Sequence, residues 1–151
     1  MDSLYARTGF DISRTITRNY STSFFSAVNL LAKDIREAIF GIYGFVRLAD
    51  EIVDSFTDYD RQYLLNRFEQ DYAEAIQQGI STNPVINAFE LTVRKYRIDR
   101  HLIEAFLKSM RADLSHPGYS RKSDIEEYIY GSASACLLYT SPSPRDSTSS
   151  R

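Results

Sequence analysis

The chain has a single cysteine, Cys136, and two histidines, His101 and His116. One thiol excludes an intrachain disulfide, and the shortage of thiol and imidazole ligands excludes a Cys/His metal cluster. His101 and His116 have no such partner nearby in sequence and are expected at the surface. No window approaches about 18 consecutive apolar residues, so no helix is expected to span a bilayer. The N-terminal run MDSLYARTGFDISR lacks the apolar stretch of a signal peptide, and a reducing cytoplasm is the expected location. There is no excess of positive charge either. The formal net charge is -2 and the pI about 5.7, with basic residues scattered among acidic ones, which argues against nucleic acid as a partner.

What is present is enough for one domain: 43% of the 151 residues are hydrophobic and 13% aromatic. The most informative stretch is Lys33 to Phe56, KDIREAIFGIYGFVRLADEIVDSF, which reads as one long helix without proline. Ile39, Ile42, Val46, Ala49 and Val53 form one apolar stripe, and Phe45, Leu48 and Ile52 form a second. Between them Tyr43, Arg47, Asp50 and Asp54 point within an arc of roughly 60°. Two carboxylates one turn apart supply the oxygen ligands that a hard divalent cation prefers, and Mg²⁺ completes such a site with water and phosphate oxygens. An arginine one turn earlier supplies a fork matched to phosphate. The same spacing also fits a solvated helix face on which Arg47 pairs with Asp50 and Glu51.

The run from Tyr20 to Asp54, YSTSFFSAVNLLAKDIREAIFGIYGFVRLADEIVD, resembles the N-terminal signature of the squalene/phytoene synthase family. The most specific part is SxSF followed by YxxxRxxDxxxD. MRAD at Met110–Asp113 and YIYGSA at Tyr128–Ala133 extend the resemblance over residues 10–135. It implies an all-α fold, here a partial isoprenoid-synthase helical bundle truncated before the second aspartate-rich helix. It also implies head-to-head joining of two prenyl diphosphates, farnesyl or geranylgeranyl, through a cyclopropyl diphosphate intermediate to a C30 or C40 hydrocarbon of carotenoid or triterpenoid biosynthesis. Asp50 and Asp54 would hold Mg²⁺, with Mn²⁺ as the alternative ion, and NADPH would be needed only by a squalene-forming member. Tyr43 and Arg47 would join the two aspartates in catalysis. Ser21, Ser23, Phe24, Arg47 and Tyr128 would line the diphosphate site. The family also admits peripheral attachment to a membrane.

The remaining segments read as scaffold. Asp11–Asn19 is expected as a short amphipathic helix with Ile12 and Ile16 one turn apart, and Tyr20–Ser23 as a turn of hydroxyl side chains. Phe24–Leu31 resumes helix, and Ser23 is as suited to capping it as to binding an anion at its start. Asp60 caps a helix over Arg61–Gln78 with Leu64, Phe68, Tyr72 and Ile76 as its stripe, and Gly79 ends it. Asn83-Pro84 opens the next helix, with Val85, Phe89, Val93 and Tyr96 buried. Asp99 opens another, with Ile103, Phe106, Leu107, Met110 and Leu114 apolar and Asp113 at its end without an assigned role. Ser123 and Glu126 form a capping box for a helix that carries Tyr128 and Gly131.

Residues 1–135 are therefore expected to be the N-terminal part of a squalene/phytoene synthase-like domain. In residues 136–151, CLLYTSPSPRDSTSSR, the apolar period vanishes, and a disordered, non-native tail is expected. Half of the aspartate-rich machinery would then be missing, and this chain alone is expected to be inactive. Two rival functions fit the helical pattern. One is a head-to-tail prenyl elongation enzyme or terpene cyclase, against which SxSF and the YxxxR spacing speak. The other is a non-catalytic helical interaction module that binds no diphosphate.

Overall fold

In the computed structural model the described residues are 3–115 together with Glu126 and Ile129. They form six helices, α1 (Leu4–Tyr20), α2 (Thr22–Val28), α3 (Lys33–Ser55), α4 (Arg61–Gln78), α5 (Pro84–Tyr96) and α6 (Arg100–Asp113), and no strand. The all-α expectation holds for this part of the chain. The expectations for His116, for the helix bearing Tyr128 and Gly131, and for the tail from Cys136 lie outside the described residues.

α3 is central because it is apolar on nearly every side. Twelve of its residues are buried, from Ala38 to Val53, and it packs against α1, α4, α5 and α6. No side chain caps its N-terminus at Ala32, so Asp34 in the first turn is what complements the dipole there. Phe45 anchors the core: its ring lies parallel to Phe89 with centroids 3.9 Å apart, and Phe68, Tyr72 and Phe106 surround it. Beneath this stack Glu90, only 2% exposed, accepts two hydrogen bonds from the Arg100 guanidinium at 3.0 and 2.7 Å. Arg100 also donates to the Tyr72 hydroxyl at 2.8 Å, so one ionic group joins α4, α5 and the start of α6.

The first helix differs from expectation. It starts at Leu4, capped by Ser3, rather than at Asp11, and the face it buries is Ala6, Gly9, Ser13 and Thr17. Ile12 lies at the surface and Ile16 is half-buried. Small residues win this face because α1 runs very close to both α3 and α5. A Cβ on Gly44 of α3 would meet Ser13 Oγ at 2.6 Å, and one on Gly9 would collide with the carbonyl oxygen of Pro84. Large side chains there would hold the helices apart.

The stripe of α4 is also displaced. Leu65, Phe68, Tyr72 and Ala75 are buried, whereas Leu64 is half-buried and Ile76 is exposed. Repeated steps of four advance about 40° each on a helix of 3.6 residues per turn, so a strict four-residue series leaves the contact face within three steps. Alternating three and four keeps to it. In α6 only Ile103 and Met110 are fully buried, while Phe106, Leu107 and Leu114 are half-buried. The caps at Asp60, Asn83 and Asp99 form as expected, each side chain accepting from a backbone N–H of the first turn.

Candidate active site

The break between α1 and α2 is one residue long. Ser21 has an extended backbone, and its Oγ accepts from the Phe24 N–H at 3.4 Å, so Ser21 is the cap of α2. Ser23, the serine the sequence offered as the cap, instead lies exposed in the first turn, because the helix begins one residue before it at Thr22. This short break swings two aromatic rings over the polar face of α3. Phe24 stacks on Tyr43 with centroids 5.4 Å apart, and Tyr20 lies under the Arg47 guanidinium, its ring centroid 4.6 Å from Cζ.

On α3 itself Arg47 bridges two carboxylates. Nη1 is 2.9 Å from Asp50 Oδ2, and Nη2 is 2.8 Å from Glu51 Oε1. Both helical pairs suggested by the spacing therefore exist, but the face is not a solvated one. The Arg47 side chain is 11% exposed and that of Asp50 3%. Burial removes both charges from water, a cost that surface pairs on a helix do not bear, and close pairing offsets it. The Nε of Arg47 is buried and has no hydrogen-bond partner among the described residues. Such a donor is costly to leave unmet and fits an anion.

Tyr43 is almost wholly buried, and its hydroxyl donates to Glu126 Oε2 at 3.4 Å. Burial raises its pKa well above the ordinary phenol value, the Glu126 carboxylate raises it further, and the Arg47 cation opposes them. Tyr20 is shifted the same way, first by burial and then by the negative charge of Glu51. Both phenols stay protonated and can donate hydrogen bonds. Asp54, one turn beyond Asp50, is half-buried.

The structure thus brings Tyr43, Arg47 and Asp50 together on one buried face with Phe24 stacked above, and places Asp54 one turn on. Ser21 is buried at the helix break and Ser23 lies exposed beside it, while Tyr128 lies outside the described residues. Asp113 is the last residue of α6 and half-buried. Two participants escaped the sequence reading. Tyr20 is joined to Arg47 only by the fold, and Glu126, read as a capping residue, has its carboxylate on Tyr43. As for a metal, Asp50 and Asp54 offer oxygen donors alone, which suits a hard cation. No group of three His, Cys, Asp or Glu able to hold an ion occurs among the described residues. An ion on these two carboxylates would need water and phosphate oxygens to fill its shell, which is the usual habit of Mg²⁺. The donor set fits.

Comparison with known proteins agrees with the motifs. Residues 17–147 match the family model described as squalene/phytoene synthase. The chain is 27% identical over 122 residues to a phytoene synthase of Arthrospira platensis, covering 80% of this chain and 39% of that protein. It is 28% identical to a phytoene synthase of Rhodobacter capsulatus, covering 83% and 37%. It is 30% identical to a presqualene diphosphate synthase of Rhodopseudomonas palustris, covering 62% and 33%. The chain therefore spans less than half the length of these relatives. No solved structure matches it significantly. None of the helices among the described residues is long and apolar enough to cross a membrane.

Proposed function

The chain belongs to the squalene/phytoene synthase family, and from that premise we propose that it supplies one wall of the active site of a head-to-head prenyl synthase. The observation that carries this reading is Arg47, whose side chain is only 11% exposed and whose Nε is buried. A fork held by two carboxylates and an aromatic face, with its Nε–H unmet among the described residues, is an unusual expense for a structural ion pair. It is well spent on a diphosphate.

In this reading Arg47 and the hydroxyl-bearing break at Ser21 and Ser23 bind and orient the diphosphate of a farnesyl or geranylgeranyl substrate. Asp50 and Asp54 would hold Mg²⁺, which when bound acts as a Lewis acid on the departing diphosphate. Tyr43, protonated and buried, donates a hydrogen bond at a fixed place. Phe24 and Tyr43 present stacked π-faces beside the site and exclude water from a positively charged reacting chain. Glu51 and Tyr20 hold Arg47 from its other sides.

The test is product analysis with the native gene product, given Mg²⁺ and either farnesyl or geranylgeranyl diphosphate. A C30 or C40 head-to-head product is expected. A longer linear prenyl diphosphate would favour the head-to-tail rival, and neither product nor binding would favour an interaction module.

A further inference from the structure

Arg61 occupies the first position of α4, directly after the cap Asp60. A cation there opposes the dipole of its own helix. Its contacts lie elsewhere. Nη1 donates to the carbonyl oxygen of Val53 at 2.6 Å, and Nη2 donates to the carbonyl oxygen of Leu114 at 2.9 Å. Val53 is in the last turn of α3, which ends at Ser55, and Leu114 is the C-cap of α6. Both carbonyls fall among those that a helix terminus leaves without an intrahelical partner, and both sit at the negative end of a helix dipole. One planar fork thus caps two helices at once and ties their ends together. No basic residue in the last turn of α3 could do this in its place.

Val53 immediately precedes Asp54. We propose that Arg61 is a positioning residue for Asp54: by holding the Val53 carbonyl against the end of α6, it fixes the final turn of α3 so that the Asp54 carboxylate stays in register with Asp50. The proposal rests on the reading of Asp54 as a cation ligand. Asp50 has no such dependence, since it is buried a turn earlier and held by Arg47. Loss of Arg61 therefore loosens one carboxylate of the pair and spares the other. Lysine is a poor substitute, because a point charge reaches one carbonyl and leaves the second unmet.

The experiment measures Mn²⁺ binding to the 151-residue chain by electron paramagnetic resonance, alongside amide hydrogen exchange, for wild type, Arg61→Met, Arg61→Lys, Asp54→Asn and the Arg61→Met/Asp54→Asn double variant. Arg61→Met should weaken Mn²⁺ roughly tenfold, at the low end for a supporting partner of a metal ligand, with exchange accelerated in the last turn of α3 and unchanged around Asp50. Arg61→Lys should recover part of both. In the Asp54→Asn background Arg61→Met should add nothing further, because its effect passes through Asp54. Equal Mn²⁺ affinity in folded Arg61→Met, or a loss that simply adds to that of Asp54→Asn, would overturn the positioning role. Absence of Mn²⁺ binding in the wild type would instead overturn the metal reading on which it rests.

Discussion

Replacing Asp50 by Asn changes one charge and almost no volume, and the structure makes its effect on folding signed. If Asp50 served only as a cation ligand, removing it in chelator would relieve repulsion from Glu51 and Asp54 and leave stability unchanged or raised. In the structure, however, Asp50 is buried and 2.9 Å from the Arg47 guanidinium, so it also stabilises the fold. A hydrogen bond to a charged group contributes about 1.5–3 kcal/mol, and stripping a buried cation of all partners costs about 3–5 kcal/mol. Because Glu51 still holds Nη2, the expected loss is near the lower figure, about 2 kcal/mol, which for a chain of this size lowers Tm by about 4–8 °C. Thermal melts followed by circular dichroism in EDTA check this directly. Adding Mg²⁺ should then raise the wild-type Tm and leave that of the variant unmoved. An Asp50→Asn protein that melts at or above the wild-type temperature in EDTA would refute the view that the Arg47 bridge carries structural weight.

Gly44→Ala should cost about 1–3 kcal/mol in urea unfolding, since its Cβ would meet Ser13 Oγ at 2.6 Å and Ser13 Cβ at 2.8 Å and push α1 off α3. Ser21→Ala should lose about 1 kcal/mol as a cap is removed, whereas Ser23→Ala should leave stability unchanged and weaken binding of a diphosphate analogue, measured by calorimetry. Tyr72 has its pKa raised above the ordinary phenol value of 10.0, chiefly by burial and then by Glu90, so the folded protein keeps a proton that the unfolded chain releases. That contribution is complete below pH 10.0 and is lost as pH climbs above it. Urea midpoints on either side of this pH should fall with rising pH in the wild type and fall less steeply in Tyr72→Phe.

The parts of this architecture that were legible in the sequence are those written within one element. α3 and its ladder of Tyr43, Arg47, Asp50 and Asp54 follow from periodicity alone, because neighbours on one helix face are fixed by the helix. The early start of α1 was not legible from apolar periodicity. Its contact face is Ala6, Gly9, Ser13 and Thr17, and a search weighted toward large apolar side chains selects Ile12 and Ile16 instead. A run of small residues at helical spacing was the available signal, since closely approaching helices select for size rather than hydrophobicity. The cradle around Arg47 was half legible. Glu51 lies one turn away on the same helix, but Tyr20 reaches Arg47 only because a one-residue break at Ser21 turns the chain back. Nor does spacing reveal that the face is buried, and burial is what separates this bridge from an ordinary surface pair.

The central claim is that the Arg47 face of α3 holds a metal-bound diphosphate. The most direct test is calorimetric titration of the chain with a thiodiphosphate analogue of farnesyl diphosphate, with Mg²⁺ and then with EDTA, in the wild type and in Arg47→Lys. Mg²⁺-dependent binding by the wild type, weakened in Arg47→Lys because an ammonium cannot reproduce the fork, is the predicted result. Binding of equal strength in EDTA, or equal strength in the two proteins, would contradict the account.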